Sequence, residues 1–298
     1  MFNHILVPLD GSKLAEAALP PAASLAQTLG APVTLLHLIE KGAPQAVHGN
    51  RHLTKADEAE GYLRTVAQTA FPKEVKVEWH VHTAGIENVA ASIVQHAEEL
   101  TPDLIVMCSH GRSGMRDYLF GSIAQQVIAQ SDVPVLLIKP TTAHARTFEL
   151  RKIFLPLDDE SIHDESLSVA KPLAKAYQAG LYLLTVIPTL GTLSDGKAAA
   201  GTLLPATAIA YLDIKEENAK EHLQEHLDEL AQSGLDAEAE IARGDPAPTI
   251  SEVAERVDAD LIILSTHRKA GAAAFWARSV TPNVARRTKI PLLLVPLA

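Results

Sequence analysis

The chain has 298 residues, 47% of them apolar and 21% charged, with Lys+Arg 26 against Asp+Glu 36 and a formal net charge of −10. That length exceeds one typical core and suits two domains, and the composition is that of an ordinary soluble globular protein. The acidic balance argues against a nucleic-acid partner, which asks for a basic face, while leaving room for a small anion held by backbone dipoles.

In chain order, short β-branched apolar runs alternate with segments of helical spacing. Strands are expected at 5–7, 33–38, 104–107 and 135–138, and helices at 13–29, 56–70, 89–100 and 123–130. The run "LIVM" has no polar alternation, so both of its faces should be covered, as in a parallel sheet. "VKVEWHVH" alternates and reads as a half-exposed strand closer to an edge. Pro20 and Pro21 interrupt the first helical segment, and Pro172 does the same further on. An interior proline costs about 3 kcal/mol, so a kink or a late helix start is expected at both places.

The same order is then written a second time. "HILVPLDGS" returns as "KIFLPLDDES", "VTLLHLIE" as "LYLLTVIP", "PDLIVMCSHGRSG" as "ADLIILSTHRKAG" and "VPVLLIKP" as "IPLLLVPL". Four matched segments in one order mark a tandem duplication, with a few extra residues in the middle of the second copy. The connector "TTAHARTFEL" lacks apolar periodicity. The expected division is therefore a first domain over 1–140, a linker over 141–150 and a second domain over 151–298. Alternation of strand and helix with right-handed crossovers makes each copy an α/β doubly wound, Rossmann-like five-stranded parallel sheet.

In the strand order 3-2-1-4-5, a ligand sits beyond the carboxyl ends of the strands where the order reverses, between strands one and four. Strand one ends in Pro8-Leu9-Asp10 and strand four in Met107-Cys108-Ser109. Pro8 cannot donate to a central ladder and belongs where pairing stops. Asp10 either accepts hydrogen bonds from ribose hydroxyls or serves as the turn residue of "DGS". Gly111 would permit a left-handed turn, and Gly121-Ser122 opens the helix "IAQQVIAQ". A helix N-terminus presents unpaired N–H groups and about half a positive charge, enough to hold phosphate without lysine. Ser122 is also a natural N-cap.

These features resemble the universal stress protein family, and the doubled chain is similar to its tandem-domain members over nearly the whole length. Nucleotide-binding members of that family carry Gly-x2-Gly-x9-Gly-Ser/Thr after strand four. Gly111, nine residues, then Gly121-Ser122 match its latter part, whereas Cys108 stands at the first glycine. The resemblance implies that Pro8, Asp10 and Leu38 line an adenosine pocket with Met107 and Cys108 as its far wall. It further implies that Gly111, Gly121, Ser122 and Ile123 hold the phosphates of ATP, with or without Mg2+. Gly114 lies in the intervening loop and is not a motif position. In the second copy Arg268 and Arg278 replace the two glycines, Ser279 and Asp158 remain, and no equivalent phosphate cradle is expected there. The resemblance also implies that the last apolar strand of each copy pairs with the other, making an intrachain pseudo-dimer. Whether two chains associate as a homodimer, and which protein partner reads the surface, stay open.

Other residues were weighed against plainer roles. His80 and His82 share one side of a strand, and His48 and His52 stand four apart; either pair could join a metal site, but no further ligand falls at a recognisable spacing, and no metal is expected. His110 and His267 occupy matching places near the loop, and a structural role suits both. Cys108 is either a redox-sensitive thiol or a small packed residue. With a single cysteine, no basic-then-apolar leader and no bilayer-length apolar run, the expected location is the cytoplasm. Three functions follow: a nucleotide-binding regulatory protein, an interaction module with a vestigial crevice, or a slow ATPase. No "SGGxDS" or "HIGH" type motif is present, which argues against an adenylate-forming enzyme and leaves no catalytic residue to nominate.

Overall fold

The apolar runs of both copies enter one sheet. The computed structural model describes residues 1–42, 46–47, 49–109, 121–140, 148–158, 165–193, 204–266 and 280–297. The first copy supplies β1 (Ile5–Pro8), β2 (Val33–Glu40), β5 (Val77–Ile86), β6 (Leu104–Cys108) and β7 (Val135–Ile138). The second supplies β8 (Lys152–Leu157), β9 (Gly180–Ile187), β10 (Ala237–Arg243), β11 (Leu261–Thr266) and β12 (Leu292–Pro296). A two-residue hairpin, β3 (Ala46–Val47) and β4 (Asn50–Arg51), stands apart. The large sheet runs β10-β9-β8-β11-β12-β7-β6-β1-β2-β5, so each copy has the expected 3-2-1-4-5 order. "VKVEWHVH" provides the outer edge strand β5, as its alternation predicts.

All neighbours in this sheet are parallel except the pair at its centre. There β7 and β12 run antiparallel, with Leu137 opposite Leu292, Leu136 opposite Leu293 and Val135 opposite Leu294. Leu136 and Leu293 are each other's counterparts in the two copies, so a pseudo-two-fold axis passes between them. This is the self-complementary contact of a symmetric dimer, here made within one chain. Each apolar strand covers the other's unpaired edge.

Because successive side chains on a strand point to opposite faces, the sheet builds two cores. On one face Ile5, Val7, Leu136 and Leu293 pack under α1 (Leu19–Leu29), α2 (Ala56–Ala70), α5 (Glu165–Tyr177) and α6 (Pro205–Gln232). On the other, Leu6, Ile105, Leu137 and Leu292 pack under α3 (Val89–Leu100), α4 (Ser122–Gln130), α7 (Pro246–Arg256) and α8 (Val280–Arg287). Both cores run across the junction between copies. The end of the connector joins them: Leu150 is buried, and the Phe148 carbonyl accepts a 2.6 Å hydrogen bond from Ser24 Oγ of α1. Ser24 Oγ also lies 3.0 Å from the Tyr177 hydroxyl of α5.

The prolines behave differently in the two copies. A single 3-10 turn over Ala15–Ala18 precedes α1, which starts late, at Leu19, so that Pro20 and Pro21 fall in the first turn where N–H groups have no helical partner. In the second copy Pro172 falls inside α5, which runs on past it. Leu167, Ala170, Leu173 and Ala174 on either side of that proline are buried, and burying a leucine contributes roughly 1.5–3 kcal/mol, enough to offset the lost hydrogen bond. The extra residues of the second copy lengthen α6, which has 28 residues against 15 in α2.

The seam makes a direct prediction. Leu136→Ala and Leu293→Ala should each destabilise the chain by about 2–5 kcal/mol. Because the two side chains face each other, the double variant should cost less than the sum of the singles. Urea unfolding followed by far-UV circular dichroism checks this, and strict additivity would remove the proposed contact.

Candidate functional site

The candidate site lies at the carboxyl ends of β1 and β6, where the strand order reverses. Strand β1 keeps register with β2 to its end, Pro8 opposite Leu36, and its ladder to β6 covers Ile5–Leu104 and Leu6–Ile105. Beyond Leu6 that ladder stops because Pro8 brings no N–H to it, while β6 stays paired to β7 as far as Cys108–Ile138. The Leu9 N–H still bonds the Leu36 carbonyl at 2.8 Å. Pro8, with no N–H to lose, is the last residue of β1.

Asp10 follows at the lip. Its Oδ1 accepts the Ser12 N–H at 2.8 Å, the bond of a turn residue. Gly11 completes the turn at φ +83°, where an added Cβ would meet the Leu53 side chain at 2.9 Å. Ser12 is buried, and its hydroxyl accepts the Ala15 N–H at 3.2 Å. The Asp10 carboxylate also acts electrostatically on groups around it. Burial pushes the Cys108 thiol up to about 12 with the Asp10 charge adding to the shift. Burial, and then the Glu16 and Asp10 carboxylates, raise the Tyr62 hydroxyl of α2 above its usual range. A thiol held that high is protonated at neutral pH and is a packed residue rather than a redox-active one.

On the far side Met107 and Cys108 are 6% and 5% exposed, and Leu38 of β2 is 7% exposed. Leu38 and Met107 belong to the core on the α3–α4 face. The N-terminus of α4 is more open: Ser122 and Ile123 are exposed and Gly121 is buried. The N-cap residue is Gly121 rather than Ser122, which is the first helical residue, and among the described residues no side chain caps this end. The reason is local: Gly121 has the extended φ −56°, ψ 139°, and its carbonyl accepts the Gln125 N–H at 3.0 Å. This backbone shape is open to any residue, so what glycine adds there is the absence of a Cβ.

The structure thus brings Pro8, Asp10, Met107 and Cys108 to the carboxyl ends of two neighbouring strands, with Leu38 one strand further out. Gly111, Gly114 and His110 lie outside the described residues, as do His267, Arg268, Arg278 and Ser279 of the second copy and His48 of the first. The second copy repeats the short ladder, with β8 and β11 paired at Ile153–Leu261 and Phe154–Ile262 and Pro156 in the place of Pro8. Its Asp158 is exposed where Asp10 is half-buried.

Sequence reasoning missed His37. Its ring is fully buried, with Nδ1 2.8 Å from the Leu9 carbonyl and Nε2 3.1 Å from the Leu53 carbonyl. It ties the end of β1 to the segment after β4, which roofs the Asp10 turn. The available signal was a histidine inside the apolar run "VTLLHLIE", where a buried polar ring must find partners. Its counterpart is Thr185, whose buried hydroxyl has no hydrogen-bond partner. His52 is buried, with Nε2 3.9 Å from the Glu40 carboxylate. His80 and His82 lie on the outer edge strand, away from the cleft. Among the described residues no helix is long and apolar enough to cross a membrane.

Comparison with known proteins agrees with this architecture. The model of the Universal stress protein family matches residues 1–139 and again 149–296. A universal stress protein of Methanocaldococcus jannaschii is 32% identical over a stretch covering 47% of this chain and 83% of its own. One of Mycolicibacterium smegmatis is 22% identical across 98% of this chain and 96% of its own. The crystal structure of a universal stress protein from Archaeoglobus fulgidus superimposes with a TM-score of 0.67 at 17% identity, covering 99% of this chain and 97% of that one. A functionally unknown protein of Pseudomonas aeruginosa gives 0.69 at 16% identity, covering 99% and 93%. At those identities the two structures speak for the fold, and the double match of the family model speaks for descent: this chain is a tandem member of the universal stress protein family.

Proposed function

We propose that the chain is an ATP-binding regulatory protein of the cytoplasm that holds one nucleotide in its first copy. The observation that carries the reading is the strand order β2-β1-β6-β7, which sets the carboxyl ends of β1 and β6 side by side at the switch point where doubly wound sheets take ligands. Asp10 at one lip offers carboxylate oxygens to ribose hydroxyls, and apolar Leu38 and Met107 suit the faces of an adenine ring. The N-terminus of α4 supplies N–H groups and a positive dipole end to phosphate, with Gly121 removing the Cβ that would stand in the way. The resemblance of Gly111 and Gly121-Ser122 to the family's phosphate motif supports the same assignment. Mg2+ accompanies the triphosphate in this reading as a charge partner, held by the phosphates more than by the protein.

The second copy keeps the strand order but carries arginines at both motif glycines, so its role is to complete the sheet. A change of bound nucleotide then alters the surface around the α4 N-terminus and the Asp10 turn, which a protein partner reads.

Calorimetry on the full chain should give one ATP per chain, and two equivalent sites would overturn the division between copies. Gly121→Leu should weaken ATP by tenfold or more while Gly121→Ala has a smaller effect. Asp10→Ala should cost about tenfold, the loss of about 1.4 kcal/mol expected for hydrogen bonds to a charged group. Unchanged affinity in Gly121→Leu, with the thermal midpoint preserved, would remove the phosphate cradle.

A further inference from the structure

Three imidazoles meet at the outer edge of the first copy, away from the cleft. His80 and His82 share a face of β5, and α3 lays His96 against them. The His80 and His96 ring centroids are 5.2 Å apart at 45°, and those of His82 and His96 are 4.9 Å apart at 88°. One ligating nitrogen from each of the three lies within 4.8 Å of the others.

His96 is the fixed member. Its ring is 3% exposed, and Nδ1 donates to the Ser92 carbonyl at 2.7 Å. That bond places the proton on Nδ1 and leaves Nε2 with its lone pair, the arrangement by which a backbone carbonyl orients a metal-ligating imidazole. His82 is half-buried and His80 exposed, so both can turn toward it. Tetrahedral Zn–N bonds of 2.0–2.1 Å put ligand nitrogens about 3.3 Å apart, and rotation of these two rings closes the difference.

Plain ring packing would be the alternative, and a second histidine pair shows what self-satisfied rings look like. On α6 the Nε2 atoms of His222 and His226 lie 3.1 Å apart and share a hydrogen bond. At the β5–α3 cluster the rings meet without a hydrogen bond between them among the described contacts.

We infer that His80, His82 and His96 bind one Zn2+ ion, clasping the edge strand β5 to α3 and leaving a fourth position open to water or a small anion. Two nitrogens from a strand and one from a helix form a tripod that a tetrahedral ion completes with one outside ligand. Zn2+ has no d-electron preference to resist that geometry, and imidazole is among its usual ligands. The inference stands apart from the nucleotide reading.

The test uses the full chain, freed of metal by dialysis against a chelator and titrated with Zn2+ in competition with a chromophoric chelator. One ion per chain should bind at micromolar metal. Affinity should fall at least tenfold in His80→Ala/His82→Ala, whose fold is checked by circular dichroism, and stay unchanged in His222→Ala. Zn2+ should raise the thermal midpoint of the wild type by several degrees and leave that of the double variant where it was. Co2+ in place of Zn2+ should give the intense visible bands of a tetrahedral site only when both edge histidines are present. No binding at micromolar Zn2+, or equal binding by wild type and the double variant, overturns the proposal.

Discussion

The antiparallel pairing of β7 with β12 is the constraint on which the rest of the molecule depends. Each strand is apolar along its length, with Leu136, Leu137, Leu292, Leu293 and Leu294 at most 2% exposed. Alone, either half would end its sheet in such a strand, an open ladder of N–H and C=O groups flanked by leucines and so a template for aggregation. Joined, the two edges satisfy each other and both cores become continuous from one copy to the other. The single-chain connection makes this association independent of concentration, which a separate pair of domains could not achieve.

From that seam the place of the candidate site follows. The strand next to the seam, β6, is held to β7 along four residues, and β1 is held to β2 along its whole length. Between these two anchored pairs the ladder of β1 to β6 ends after Leu6, because Pro8 has no N–H to extend it. The second copy repeats this with Pro156 in the place of Pro8, so the short ladder belongs to the repeated strand, while the residues at its carboxyl end decide what can bind there.

Much of the fold was written plainly in the chain. Runs without polar alternation became strands buried on both faces, the alternating "VKVEWHVH" became an edge, and duplication gave the sheet its pseudo-two-fold. The local start of α4 was misplaced by one residue because a serine and a glycine are both good N-cap residues, and only backbone angles separate them. Pro172 is a different case: propensity prices it alone, whereas α5 is held through it by buried leucines on either side. His37 and His96 were invisible as partners because what they touch lies on other elements. His96 sits on the buried face of "VAASIVQHAEEL" together with Ala90, Ile93 and Ala97, and periodicity reveals that face but not what it is laid against.

The two copies differ at one matched position of the same strand. Where the first copy has His37 reaching two carbonyls and thereby fixing a roof over the Asp10 turn, the second has Thr185 with an unsatisfied hydroxyl and an exposed Asp158. A buried polar group without a partner costs about 1–3 kcal/mol, so the second copy carries a penalty at the position where the first gains two contacts. Such a cost is carried by the whole molecule, because both cores run from one copy into the other. The seam therefore does more than join the copies: by coupling their cores it lets one half tolerate a penalty that an isolated domain would bear alone.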